Sequence, residues 1–583
     1  MIKKYILSLL SVVFFVSTSQ AKHIDVTEAM NIAKNFCTTS VAAKGYGVVP
    51  SDVTMKLSYA EKSILSDEDN VYVFNRSDNG FVIVSADDCA APVLGYSMNE
   101  TFDYDNSPCN VKAWLKYYSS QIDYAEANKL SFSGKTVSSA SIVVSPLLNG
   151  VSYGGYTRNI VWNQGTPYNS KCPQDNNGRC VTGCAATAMA QVLTFYQWPV
   201  NGVGSHSYVW NGQTLSVDFS STAYDWASIF STEPSSYTLN SKFRNAIGTL
   251  MYHCGVSVNM SYSSAGSGAS PYDIAPAMLA YFNYDKSIAL LLHEYFSETD
   301  WENIMKKELD KGRPVLYSGY TKSDEGHIFV CDGYDSSDYF HINWGWGGSG
   351  NGYFLLTALD PSQQGIGGST ADLAFNYSQM AFVGIQKPVA GSKLNTQILS
   401  DGLPEIDKTI SKGGNMNMIN SLNKDTVFVT NLSADSVEMN MAYVLFDANG
   451  KEVYNEKFFD SDFWFNQPYS YKFYDCYVPF PSSLTDGSYK LYLDYKVTGE
   501  SAWKNILIPY GKNNCYNVDV KGNSVHVYSA TSTSIRSNHI VGKEYDNANK
   551  VIYNMNGIRQ NSLQHGVNII RQSDGSVKKV VVR

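Results

Sequence analysis

Charge is scarce in this 583-residue chain: Asp, Glu, Lys and Arg make up 17% of it, and the net charge is −9. Phosphate binding needs a concentrated basic face, so nucleic acid is excluded as a partner. The apolar run from Tyr5 to Val16 is shorter than the ~20 residues a membrane-spanning helix needs. The ten cysteines are scattered, and they do not form the dense framework of a small disulfide-rich scaffold. No Cys/His spacing matches a zinc site, and no stretch predicts a cofactor. No internal repeat of useful period is present. Histidine is also sparse at nine residues, which shortens any search for a catalytic base.

What is present describes a globular protein of roughly three or four domains. Hydrophobic residues make up 44%, and 42 tyrosines stand against 26 phenylalanines, a balance that fits β-rich extracellular architecture. Residues 1–21 have the form of a signal peptide. Lys3-Lys4 precedes the apolar run, and Ser19-Gln20-Ala21 ends it with a small-x-small cleavage site. The chain is therefore expected to be exported.

Residues 22–145 read as a first α+β unit. An amphipathic stretch at Val26–Phe36 is followed by strand runs Val71–Phe74 and Phe81–Ser85 around an Asp78-Asn79-Gly80 turn, then a helical stretch at 111–127. Ser131–Ser145 is rich in Ser, Thr and Gly and reads as an exposed linker. In 146–391 helices are expected at 184–197, 241–254, 272–283 and 298–311. Strands are expected at 314–318, 327–334, 338–343 and 352–356. Helices first and a sheet later predict a two-lobed α+β domain. Residues 392–520 carry short alternating strands, the pattern of an all-β sandwich, and 521–583 a short β tail.

The chemistry centres on Cys184. It opens a run of helix formers after Gly183, with Thr182 available as a cap and Trp198-Pro199 as a stop. A thiol at a helix N-terminus meets unpaired N–H groups, which favour its thiolate. A cysteine nucleophile needs a base, an orienter for that base and oxyanion donors. His327 opens the apolar strand Ile328–Cys331 beside Gly326, a rigid place for a base. His341 and Asn343 lie on the next strand, and a hairpin between the two strands would bring Asn343 and His327 to one face. Cys172 and Cys180 flank a polar loop and are the best candidates for a disulfide. The glycine-rich stretches 263–268 and 345–352 can lie close to an extended substrate. Neither has the Lys-Ser/Thr ending of a phosphate cradle.

Two sets of residues carry a resemblance. Gly326-His327-Ile328-Phe329-Val330 with His341-Ile342-Asn343-Trp344-Gly345-Trp346-Gly347-Gly348 resembles the histidine region of the streptopain family. Trp162-Asn163-Gln164 with Thr182-Gly183-Cys184-Ala185-Ala186-Thr187 resembles its cysteine region. These are secreted, papain-like cysteine peptidases, interpain-type enzymes among them. The resemblance implies Cys184 as nucleophile, His327 as its ion-pair partner and Gln164 as an oxyanion donor. It also implies that Asn343 orients the imidazole and that Trp344 shields that bond. Four of these residues have a plainer alternative: Gln164 a surface glutamine, Asn343 a turn residue, Trp344 a core residue, Cys184 a buried thiol. For His341 a structural role is preferred.

The stretches Tyr72-Val73-Phe74, Gly80–Asp87 and Leu94–Ser97 resemble the family's pro-domain, which implies an intramolecular inhibitor removed somewhere between about 131 and 147. Residues 521–583 resemble a type IX secretion sorting signal of Gram-negative bacteria; a small extension of the sandwich is the alternative. The expected partners are protein substrates, with a hydrophobic residue two positions before the scissile bond, the chain's own pro-domain and a secretion machinery. A transglutaminase-like acyl transferase and a non-catalytic adhesin or inhibitor are the competing functions.

Overall fold

Strand runs that are apolar at every position are buried on both faces, and two of them anchor the sheet of the first unit. The computed structural model describes residues 22–39, 53–132, 141–320, 326–358, 378–423 and 425–530. It also describes tail strands at 551–554, 559–560, 566–571 and 577–582. The signal-peptide reading of residues 1–21 lies outside the described residues. In the first unit, α1 (Val26–Thr39), β1 (Met55–Lys62), β2 (Asp69–Arg76), β3 (Phe81–Ser85), β4 (Val93–Ser97) and α2 (Cys109–Ala127) follow in order. Ala29, Ala33 and Phe36 of α1 close over Tyr72, Phe74, Val82 and Val84 of the sheet. Each such fully buried large side chain contributes about 1.5–3 kcal/mol.

The second stretch adds β5 (Ile142–Val144), α3 (Cys184–Tyr196), α4 (Ser241–Ser257), β6 (Ala289–Leu292), α5 (Glu298–Asp310) and β7 (Val315–Tyr320). Then come β8 (Gly326–Asp335), β9 (Phe340–Asn343), β10 (Gly352–Phe354) and β11 (Ser378–Val383). All eleven strands belong to one sheet, in the order β1-β2-β3-β4-β10-β9-β8-β7-β11-β6, with β5 alongside β8. From β1 to β11 the neighbours are antiparallel. Residues 22–145 and 146–391 were expected as separate domains. In the structure they share this sheet, and one unit comprises Met1–Asp285 with Leu290–Val389.

The seam between them is the β4–β10 pairing, Tyr96 opposite Tyr353 and Gly95 opposite Phe354. The two tyrosine rings stack with centroids 5.2 Å apart. The backbones approach so closely that a Cβ on Gly352 would stand 2.6 Å from the Tyr96 carbonyl oxygen. The Tyr96 hydroxyl donates to Asp335 Oδ2 at 2.8 Å, and the Tyr339 hydroxyl to the Val93 carbonyl at 2.7 Å.

The expected linker is partly structured. Residues 142–144 form β5 on β8, and the backbone of Ser336 donates to the Ser141 carbonyl at 2.8 Å. The expected helix over 272–283 begins as a 3-10 turn at Pro271–Asp273 and is α-helical only over Ile274–Ala280. Pro276 has no N–H to donate to a preceding turn, so an α-helix can hold it only in its first turn. A hairpin at Ser205–Trp210 and Gln213–Asp218 was not anticipated, although its Asn211-Gly212 turn is a strong hairpin signal.

The second compact unit comprises Lys286–Ala289 and Ala390–Arg583. It contains an eight-stranded antiparallel sheet with Val437–Phe446 and Gly487–Val497 at its centre. A three-stranded sheet (Ile398–Ser400, Val427–Asn431, Tyr469–Phe473) shares one apolar core with it. Ser524–Ala530 pairs with both Cys515–Lys521 and Asp407–Ser411, so the sandwich runs to residue 530. The tail strands form a separate four-stranded antiparallel sheet. No helix among the described residues is long and apolar enough to cross a membrane.

Candidate active site

α3 starts at Cys184 because Gly183 turns the chain there with φ +85°, a conformation side chains resist. A Cβ at Gly183 would also lie 2.8 Å from the Met260 sulfur. Thr182 is not the cap expected from the sequence. Its hydroxyl pairs with the Thr187 hydroxyl at 2.8 Å, and Gly183 holds the cap position without a side-chain bond. The helix stops where Gln197 turns left-handed at φ 44°, ahead of Trp198-Pro199.

The Cys184 thiol is half-buried, and the backbone N–H groups of Ile328, Ala185 and Cys184 itself lie near enough to favour its thiolate. α3 packs against β8, which brings the sulfur near Ile328, one residue from His327. Thiol and imidazole, 143 positions apart in sequence, thus come from neighbouring elements, α3 and β8. Burial pushes the Cys184 thiol above its ordinary value, and the three N–H groups only partly offset this. The sequence-based expectation of a favoured thiolate considered the N–H groups and not desolvation, which is the larger effect here.

Gln164 lies in the extended segment 160–164, 8% exposed. Its carbonyl accepts the Thr182 N–H at 3.0 Å, which ties it two residues from the nucleophile. Its side-chain amide makes no hydrogen bond among the described residues. The loop 263–268 is tied to the same region: Val181 N–H donates to Ser263 at 3.1 Å, and the Ser267 hydroxyl to the Val181 carbonyl at 2.7 Å. In the loop 345–352, Gly347 N–H donates to the Trp162 carbonyl at 2.8 Å.

Asn343 has other partners than the imidazole expected for it. Its Nδ2 donates to the Ile160 carbonyl at 2.8 Å, and its Oδ1 accepts the Gly345 N–H at 3.1 Å. The strand register explains this. Asn343 stands opposite Val330, and residues directly opposite share a face. His327, three residues before Val330, is on the other face. Trp344 is fully buried. Its ring packs on Phe329 at 4.6 Å, Phe354 at 5.3 Å and Trp114 of α2 at 5.8 Å, and its Nε1 donates to Gly350. His341 pairs through Nδ1 with the buried Asp332 at 2.6 Å.

Cys172 and Cys180 are free thiols. The hairpin pairs Gln174 with Arg179, and the Cys180 N–H donates to the Pro173 carbonyl at 3.0 Å, so Cys180 stands opposite Pro173 and not Cys172. Gln191 of α3 was overlooked in the sequence. It is fully buried, and its Oε1 accepts the Trp162 N–H at 3.0 Å. A glutamine amid the small and apolar residues of α3 was the available signal. Among the described residues no group of three or more His, Cys, Asp or Glu could hold a metal ion.

Comparison with known proteins gives two family matches. Residues 162–354 match the peptidase C10 family, and residues 21–122 match the Spi protease inhibitor family. Streptopain of Streptococcus pyogenes is 33% identical over 380 residues, covering 62% of this chain and 91% of that protein. The thiol protease/hemagglutinin PrtT of Porphyromonas gingivalis is 30% identical over 451 residues. That match covers 75% of this chain and spans only 49% of PrtT. Among solved structures, a fragment of prointerpain A from Prevotella intermedia is 31% identical. The similarity covers 58% of this chain and all of that one, with a TM-score of 0.46.

Proposed function

Because the chain belongs to the peptidase C10 family of cysteine peptidases, we propose that Cys184 and His327 are its nucleophile and base and Gln164 its oxyanion donor. The observation that carries this reading is the packing of α3 on β8, with the Ile328 N–H near the Cys184 sulfur, one residue from His327. His327 takes the thiol proton and the thiolate attacks the scissile carbonyl. The oxyanion that forms is met by the Cys184 N–H and the Gln164 amide, and His327 returns the proton to the leaving amine. Water then cleaves the thioester, assisted by the same imidazole. A hydrophobic residue two positions before the scissile bond is part of this reading. Family membership goes against the transferase and adhesin alternatives.

The N-terminal unit, a match to an inhibitor family, is read as the inhibitory part of a zymogen. In support, Trp114 packs on Trp344, and Asn110 donates to the Trp344 carbonyl at 3.3 Å, one residue from Asn343. Ser141 and Leu147 are bonded to β8 residues or their neighbours, which supports a maturing cut before Ser141. Export directed by residues 1–21, and sorting in a Gram-negative envelope by residues 521–583, complete the proposal.

Wild type and Cys184→Ala, expressed in parallel and sized over time, test it. Wild type sheds its N-terminal unit, N-terminal sequencing of the large product starts at or before residue 141, and thiol-dependent peptide hydrolysis appears. Cys184→Ala stays intact and loses at least about 10⁴-fold in hydrolysis. Hydrolysis by the mutant at the wild-type rate overturns the assignment.

A further inference from the structure

Among the described residues the segment 160–164 has no strand neighbour, yet its backbone is tied at alternate residues. Ile160 N–H donates to the Leu148 carbonyl at 2.8 Å, and the Ile160 carbonyl accepts Asn343 Nδ2 at 2.8 Å. Trp162 N–H donates to Gln191 Oε1 at 3.0 Å, and the Trp162 carbonyl accepts the Gly347 N–H at 2.8 Å. Gln164 N–H donates to Asn163 Oδ1, and the Gln164 carbonyl accepts from Thr182. Two of these bonds come from amide side chains that are essentially inaccessible, Asn343 at 1% and Gln191 at 0%.

A buried amide group is retained against its desolvation cost only where its bonds are specific. Among the described residues Gln191 Nε2 has no hydrogen-bond partner, so what this side chain contributes is its acceptor. That acceptor fastens the Gln164 segment to the helix that carries Cys184. Asn343 fastens the same segment to the end of β9, and its Oδ1 fixes the first residue of the loop beyond. A Cβ at that residue, Gly345, would stand 3.9 Å from Gln191 Nε2, so the two anchors are neighbours. An oxyanion donor is effective only if it is held in place before charge develops. Within segment 160–164 only the Asn163 side chain ties the backbone, and the other anchors named here come from outside it.

We propose that Asn343 and Gln191 are positioning residues for the Gln164 amide, acting through the backbone of Ile160 and Trp162, and that Asn343 does not act by orienting His327. This rests on Gln164 being the oxyanion donor.

The test is a double-mutant cycle in the matured enzyme, with kcat and KM for a peptide amide and the pH dependence of Cys184 alkylation as readouts. Gln164→Ala is expected to lower kcat by about 10²–10³. Asn343→Leu and Gln191→Met should each lower kcat by about 10–100-fold, with KM changed less than about threefold. Combined with Gln164→Ala, each should cost at most about threefold more, because the group it positions is already gone. The alkylation profile should not move, and Asn343→Asp, which keeps the Gly345 bond but loses the donor to Ile160, should resemble Asn343→Leu. Multiplicative losses, or an alkylation profile shifted by Asn343→Leu, overturn the proposal and return Asn343 to the imidazole. If Asn343→Leu does not fold, Gln191→Met decides by the same cycle. Full activity in Gln164→Ala would instead refute the oxyanion assignment itself.

Discussion

At Cys184 burial and backbone N–H groups act in opposite directions, and burial is the stronger. The intact zymogen, silenced by His327→Ala so that it stays uncut, should therefore alkylate slowly at neutral pH. Its rate against pH should have a midpoint above the ordinary thiol value of 9.0. Measured iodoacetamide kinetics with a midpoint below that value would contradict this. The same residue shows what could be read locally. The glycine, the thiol and the helix formers that follow were visible as a string, and so was the histidine opening a strand. The Asn343 bond was not, because its partner Ile160 lies 183 positions away and depends on strand register. Thr182 misled because a hydroxyl before a helix usually caps it, whereas here Thr187 competes for that hydroxyl.

Among the elements, those with strong periodicity or uninterrupted apolar runs were legible. α1, β2, β3, α3, α5 and β8 lie close to where the sequence places them. β5 was hidden in a Ser/Thr-rich stretch whose strand character comes from its neighbour β8, not from its own composition. The β4–β10 seam was equally invisible, since it joins residues from two stretches that each read as self-contained. It also yields a prediction. Gly352→Val, in a Cys184→Ala chain nicked by limited proteolysis before Ser141, should separate into two species on gel filtration. The parent should co-elute as one. The reason is the 2.6 Å approach of the Gly352 Cβ position to a backbone oxygen that has little room to move. Co-elution of the variant would show that the pairing is not what joins the two parts.

For the whole molecule, two carboxyls link stability to pH. Burial pushes Asp335 up to about 6, against the pull of Ser337 and Tyr339 N–H and the Tyr96 hydroxyl and with Asp338 adding to the rise. Burial pushes Glu302 up to about 8, helped by Asp338 and Glu298 and opposed by Lys306. Both folded values lie above the ordinary 3.8 and 4.5. The protonated forms therefore stabilise the fold, an effect complete below about pH 4 and lost as pH rises through about 6 and then about 8. For Asp335 this amounts to at most about 3 kcal/mol. The Tm of the Cys184→Ala zymogen should fall by several degrees between pH 5 and 8. Asp335→Asn should flatten the lower part of that slope and Glu302→Gln the upper part. Parallel curves for all three would refute the assignment.

The shared sheet has a kinetic consequence. While the chain is whole, the Tyr96–Tyr353 pairing is intramolecular, and protein concentration cannot affect it. Once the chain is cut before Ser141, the same pairing becomes an encounter between two molecules and obeys mass action. Dilution then becomes an activator. Freshly cut enzyme at high concentration should show a lag that shortens as the sample is diluted, and adding back the released N-terminal unit should restore the lag. An edge strand left open at β10 is also a template for any extended chain that can pair with it, so the newly cut enzyme is most exposed to unwanted association at the moment its first inhibitor leaves.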